Sequence, residues 1–247
     1  YYEQSEKQLD NALRSARAAV AQSPQFAFGW ARVAELEFSH GRTKRALPAL
    51  ATSLSLAPRN AQAVALQGFL LSAQNRMDEA RDHFDRAIEM DGGLGNAWLG
   101  RGLSRIRQGH AREGRFDLQV AATTEPQRSL LRSYLGKAFS NAGEHRRAET
   151  ELRLAQEIDS GDPTPWLYSA LLLQQENRIN ESVEHLQHAQ RLNENRAVYR
   201  SQLLLDQDRA VSGANLANAY RDVGMTDVSL REAGRAVNAD YANYSAH

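Results

Sequence analysis

The chain of 247 residues has no cysteine. This excludes a disulfide scaffold, a thiolate metal site and a cysteine nucleophile, and it leaves nothing in the chain to report a redox compartment. Neither sign of charge is in excess, because 30 Lys and Arg stand against 30 Asp and Glu. Non-specific nucleic-acid binding draws its affinity from clustered cations, so no nucleic-acid partner is expected. Long apolar runs are missing as well. The longest lies around residues 166–173, far short of the ~18 to 20 residues that a membrane span requires, so this stretch is expected to hold none. The opening residues are polar and have no apolar core segment, and a targeting signal is expected to lie outside the sequence.

Proline is scarce too, but it is placed regularly. Pro24, Pro58, Gly92 and Pro126 stand 34 residues apart, and bulky Trp30, Val64 and Trp98 follow at the same interval, with Trp166 at twice that distance. Units beginning at Ala27, Ala61, Gly95, Ser129 and Pro163 align three columns of small residues. The eighth position holds Ala34, Gly68, Gly102, Gly136 and Ala170, and the twentieth holds Ala46, Ala80, Gly114, Ala148 and Ser182. The twenty-seventh holds Ser53, Ala87, Ala121, Ala155 and Ala189. Helices approach closely only where a side chain is nearly absent, and Phe84, Leu118, Leu152 and Leu186 then fill the space between units. Each unit therefore reads as a helix, a turn near Gly41, Asn75, Gly109, Gly143 or Asn177, and a second helix. No such helix buries its apolar face alone, so the expectation is an all-α solenoid of stacked pairs.

This 34-residue period, with its small-residue columns, resembles the tetratricopeptide repeat (TPR) family. The resemblance implies a right-handed α-α superhelix forming one solenoid over 1–247. It would comprise a partial repeat at 1–26 and complete repeats at 27–60, 61–94, 95–128, 129–162 and 163–196. An insertion at 197–209, a further repeat at 210–243 and the start of a cut-off repeat at 244–247 would follow, as in a fragment of a longer protein. Arg101 and Arg105 depart from the family pattern, which favours Leu and an aromatic there. They are expected to snorkel out of the interface. Pro48, inside a second helix, is expected to shorten or kink it.

A second resemblance rests on LLRSYLGKAF at 130–139, DPTPWLY at 162–168 and NRAVYRSQLLLDQDRA at 195–210. These strings are similar to a block found in bacterial, multi-repeat TPR proteins, some of the cell envelope. That implies a bacterial source, with a periplasmic or envelope setting favoured over the cytoplasm. In the insertion, Tyr199, Arg200 and the leucines at 203–205 are expected to distort the solenoid locally.

No site for chemistry is assembled. Glu181, His185 and His188 could share one helix face, but the two histidines flank the packed Leu186 and Ala189 and are expected at a solvated edge. Gly92, Gly93 and Gly95 lack the third glycine of a dinucleotide fingerprint and read as a turn between repeats. Arg101, Arg105, Arg107, Arg112 and Arg115 could dock an acidic partner, but six basic to three acidic residues over 95–128 favours a solvated face. The chain is expected to be no enzyme and to hold no cofactor or metal.

The family resemblance further implies a concave face lined by first helices, which nominates Phe28, Arg32, Phe69, Leu99, Leu103 and Arg107. Further along it nominates Tyr134, Lys137, Asn141, Leu167, Tyr168, Leu171 and Gln175, then Asn215 and Asn218. The family's carboxylate clamp is disfavoured, because Ala31 and Glu35 stand where Lys and Asn would be needed. The asparagine ladder of its sugar-transferring relatives is missing too, since position six runs Arg32, Leu66, Gly100, Tyr134, Tyr168. The expected partner is a peptide or helical segment of a protein, whether of another chain or of the same larger polypeptide. Self-association through open repeat ends is the rival, as is a role in envelope or polysaccharide-export assembly by oligomerising or holding a glycan.

Overall fold

The computed structural model describes residues 9–192, 217–218, 220–221 and 225–239, and those in regular structure are all helical. Among the described residues twelve helices have defined bounds, in order α1 (Leu9–Gln22), α2 (Ala27–Ser39), α3 (Thr43–Leu56), α4 (Ala61–Ala73), α5 (Met77–Met90), α6 (Gly95–Arg107), α7 (Ala111–Thr124), α8 (Ser129–Asn141), α9 (His145–Ile158), α10 (Pro163–Gln175), α11 (Ile179–Arg191) and α12 (Thr226–Ala239). They divide into two compact units, Tyr1–Gln127 and Arg128–His247. In the first unit α2 packs on α3, α4 on α5 and α6 on α7, and in the second α8 packs on α9 and α10 on α11. First helices also meet their neighbours within each unit, α2 to α4, α4 to α6 and α8 to α10.

The turn inside each pair is set by one residue of left-handed backbone: Gly41, Asn75, Gly109, Gly143 and Asn177 have φ between 60° and 91°. The next amide then reaches back five residues, as Arg42 N does to Glu37 O (2.9 Å) and Arg178 N to Leu173 O (2.9 Å), satisfying carbonyls the helix end leaves open. Asparagine tolerates this conformation because its short side chain bonds locally.

Packing follows the small-residue columns. Phe84 of α5 is fully buried, edge-on to Phe69 with ring centroids 5.0 Å apart. A Cβ added at Gly68 would meet its ring at 2.6 Å, and one at Gly100 at 2.2 Å. The ring therefore occupies the volume of two missing side chains, one on its own pair and one on the next. Val64, Ala65, Leu71, Ala80, Ala87, Leu94 and Ala97 complete this core.

Pro48 does not shorten its helix. α3 runs 14 residues, the same as α5, α7 and α9. Only one amide is lost to Pro48, and Thr52 caps its carbonyl with a hydroxyl bond of 3.0 Å. The insertion at 197–209 and the stub at 244–247 lie outside the described residues.

Candidate functional site

The candidate surface is the face that the first helices turn away from their partners. In the first unit this face belongs to α2, α4 and α6. The sequence of α4, AQAVALQGFLLSA, contains no charged residue, and its core side chains are Ala63, Val64, Ala65, Leu70 and Leu71. Leu66 and Phe69 remain half-buried. An apolar surface helix normally confines such residues to one stripe; here they continue past it.

The sequence-nominated residues take different places. Phe28 is 58% exposed at the start of α2, and Arg107 is exposed at the end of α6. Arg32 pairs with Glu35 at 2.6 Å. Leu103 and Phe69 are half-buried and Leu99 is buried. Phe69 serves the core through its edge contact with Phe84 as well as facing outward.

In the second unit the corresponding helices are α8 and α10. Tyr134 and Tyr168 meet edge-on with centroids 5.6 Å apart, and the Lys137 ammonium lies 4.5 Å from the centre of the Tyr168 ring. Leu167 and Tyr168 are buried, Tyr134, Lys137 and Leu171 half-buried, and Asn141 and Gln175 exposed. Ser140 donates to Gln175 Oε1 at 3.0 Å, linking the ends of the two helices. Like α4, α10 (PTPWLYSALLLQQ) has no charged residue. Its start is fixed by Asp162, fully buried, which accepts from Thr164 N at 2.8 Å and from the Ser129 hydroxyl at 3.0 Å. Asn218 is half-buried, and Asn215 lies outside the described residues.

Two sequence expectations require correction. Arg101 and Arg105 do not snorkel into solvent. Both turn onto Asp117 of α7, whose side chain is 0% exposed. Arg101 donates through Nε (3.0 Å) and Nη2 (2.8 Å), and Arg105 donates through Nη1 (2.8 Å). The remaining Arg101 nitrogen reaches Asp85 of α5 at 2.7 Å, and its guanidinium lies 4.5 Å from the centre of the Trp98 ring. Burial works against the Arg101 charge, but the bonds to Asp117 and Asp85 outweigh it and hold the guanidinium above its ordinary range. Two of the five arginines nominated as an acidic-partner patch are thus consumed inside the fold, because an apolar slot holding a carboxylate must be neutralised.

The second correction concerns His185. His185 is half-buried with a buried Nδ1, and its ring centroid lies 5.1 Å from Trp166, whereas His188, 4.2 Å from the same ring, keeps the expected edge position beside Arg191. Glu181 turns away to Arg178, which it meets at 2.7 Å and 2.9 Å. Among the described residues no group of three or more His, Asp or Glu is placed to hold a metal ion. Nor is any helix among them long and apolar enough to cross a membrane.

Sequence reasoning missed Asp117 and Asp85. The available signal was the arginine pair itself, since two cations in apolar columns demand a nearby carboxylate.

No protein-family model matches the chain. It is 26% identical over 192 residues to a TPR repeat-containing protein of Treponema pallidum (strain Nichols), covering 70% of this chain and 24% of that protein. It is 27% identical over 104 residues to anaphase-promoting complex subunit 3 of Schizosaccharomyces pombe, covering 42% of this chain and 16% of that one. Among solved structures it resembles one in the APC/C hetero-tetramer Cut9-Hcn1, with a TM-score of 0.82 and 18% identity over 97% of this chain and 45% of that chain. The matched region is thus at most about a quarter of either curated relative. These likenesses support the TPR repeat family and show its fold, an all-α stack of helix pairs.

Proposed function

We propose that the first-helix face of each unit binds an apolar segment of a partner protein. The observation that carries this reading is the composition of α4 and α10. Neither has a charged side chain, and each keeps apolar residues, Leu66 and Phe69 on α4 and Leu171 on α10, half-buried beyond those its core uses. Phe28, more than half exposed on α2, extends the first of these faces. Aromatic anchors surrounded by aliphatic and amide side chains are what an amphipathic helix or extended segment docks on. Amides at Asn141 and Gln175 supply orienting hydrogen bonds at the edge of the second face.

The test is peptide-display selection on the whole chain, with the selected peptides measured against F28D/L103D and against N141A/L171D. Each substitution lies at an exposed or half-buried position, so helical content by circular dichroism is expected to persist. Peptides are expected to lose at least about tenfold in affinity for one variant, the ratio that 1.4 kcal/mol of lost contact gives. Equal binding to both variants and to the parent would refute the assignment.

A further inference from the structure

Three tryptophans occupy the fourth residue of a first helix, but they are not held alike. Trp30 of α2 donates its indole N–H to Pro24 O at 2.8 Å, and Trp98 of α6 donates to Gly92 O at 2.9 Å. Each bond reaches six residues back and pins the preceding turn to the helix. Trp166 of α10 has no such bond, and its buried Nε1 has no hydrogen-bond partner. Its ring lies instead against His185 and His188 of α11, and the buried His185 Nδ1 also has no partner. Two buried ring nitrogens in one cluster are thus unsatisfied, where buried polar groups are ordinarily bonded.

We propose that Trp166 and His185 form a proton-operated latch between α10 and α11, closed while His185 is neutral and opened when it ionises. An imidazolium carries a proton on both nitrogens, and Nδ1 has no acceptor in the closed arrangement. α10, the helix packed on it, offers no carboxylate, and its only titratable side chain is Tyr168. On α11 itself Glu181 is committed to Arg178, and Glu149 of α9 lies against that same arginine at 3.7 Å. Glu184 is exposed, Arg191 is a permanent cation, and His188 adds a further positive charge when it ionises. From the other side Tyr220 reaches α11 through its hydroxyl, which accepts from Gln187 at 2.5 Å and brings no charge. Burial, opposed by Glu181 and Glu184, holds His185 below its usual 6.5, and burial with Arg191 lowers His188.

The sign follows. A histidine depressed in the closed state binds its proton more readily when open, so the latch is fully closed above about 6.5 and weakens as the pH falls below it. Because α10 also carries Tyr168, Leu171 and Gln175, opening would disturb the second binding face. That consequence rests on the function proposed above, whereas the latch does not.

The experiment uses the whole chain carrying W30F/W98F, so that Trp166 is the sole emitter. Its fluorescence is followed from pH 8 to pH 5, together with hydrogen exchange of α8 to α11. The expected result is a red shift and loss of intensity with a midpoint below 6.5, abolished by H185Q and retained by H188Q. Faster exchange in α10 and α11 but not in α8 and α9 should accompany it. A flat emission profile overturns the latch, and so does a transition that survives H185Q. Simultaneous loss of protection in all four helices also overturns it, as general acid unfolding. The readout needs no partner, so its failure leaves the binding-face reading standing.

Discussion

Replacing Asp117 with alanine removes the acceptor of three N–H bonds, from Arg101 Nε and Nη2 and from Arg105 Nη1. The loss should be large because the carboxylate is fully buried, while Arg101 and Arg105 are 14% and 29% exposed. Breaking one partner of a buried ion pair typically costs about 3 to 5 kcal/mol. Arg101 keeps Asp85, and Arg105 can turn to water, which places the expectation for Asp117→Ala near the lower end, about 3 kcal/mol. Removing the charges together has the opposite prospect. In R101L/R105F/D117L no buried charge is stranded, Asp85 is exposed enough to remain solvated, and stability should equal or exceed the parent by about 1 to 4 kcal/mol. Repeat stacks open in pieces, so a single unfolding midpoint is a poor measure. Native-state hydrogen exchange at the α6 and α7 amides reads the local free energy directly. A D117A penalty under about 1 kcal/mol, the worth of a surface pair, would refute the account of this network as a buried, geometry-dependent one.

Gly100→Ala should destabilise the first unit by about 1 to 3 kcal/mol, the usual range for overpacking, because the new methyl would meet the Phe84 ring at 2.2 Å; restoration by the second-site change F84L is the check, read by hydrogen exchange at the α5 and α6 amides. Asp162→Ala should cost about 1 to 3 kcal/mol through the lost cap of α10 and the Ser129 hydroxyl left without it. Native-state hydrogen exchange at the α10 amides should show that loss, and protection unchanged from the parent would argue that the cap is dispensable.

Much of the architecture was legible because it is written in one-dimensional distances. A turn residue of left-handed backbone, a small residue where helices touch and a large one where they part recur at fixed intervals, so Gly41, Asn75, Gly109, Gly143 and Asn177 could be placed in their turns from sequence. The ion network was not legible in the same way. Asp117 is one residue from the regular Leu118, and its partners lie 12 and 16 residues away on another helix, where only the stacking angle brings them together. Trp166 shares its column with Trp30 and Trp98, yet its indole bond is missing, a difference carried by histidines on a following helix. For the binding face, sequence position alone did not separate residues spent on packing, such as Leu99 and Leu167, from those left open, such as Phe28 and Arg107.

The Phe84 ring, seated where both Gly68 and Gly100 lack a side chain, bears on how such a chain can be rearranged. Repeats of equal length look interchangeable, and excising residues 61–94 would keep the period intact. It would also place Gly100 opposite Leu50, the residue at Phe84's position in the preceding repeat, and leave unfilled the volume that the aromatic ring occupied. Inserting a repeat with an ordinary side chain after residue 94 would force the reverse conflict. The smallest portable piece of this unit is therefore the run of four helices from α4 to α7, and any duplication, deletion or graft should cut outside it.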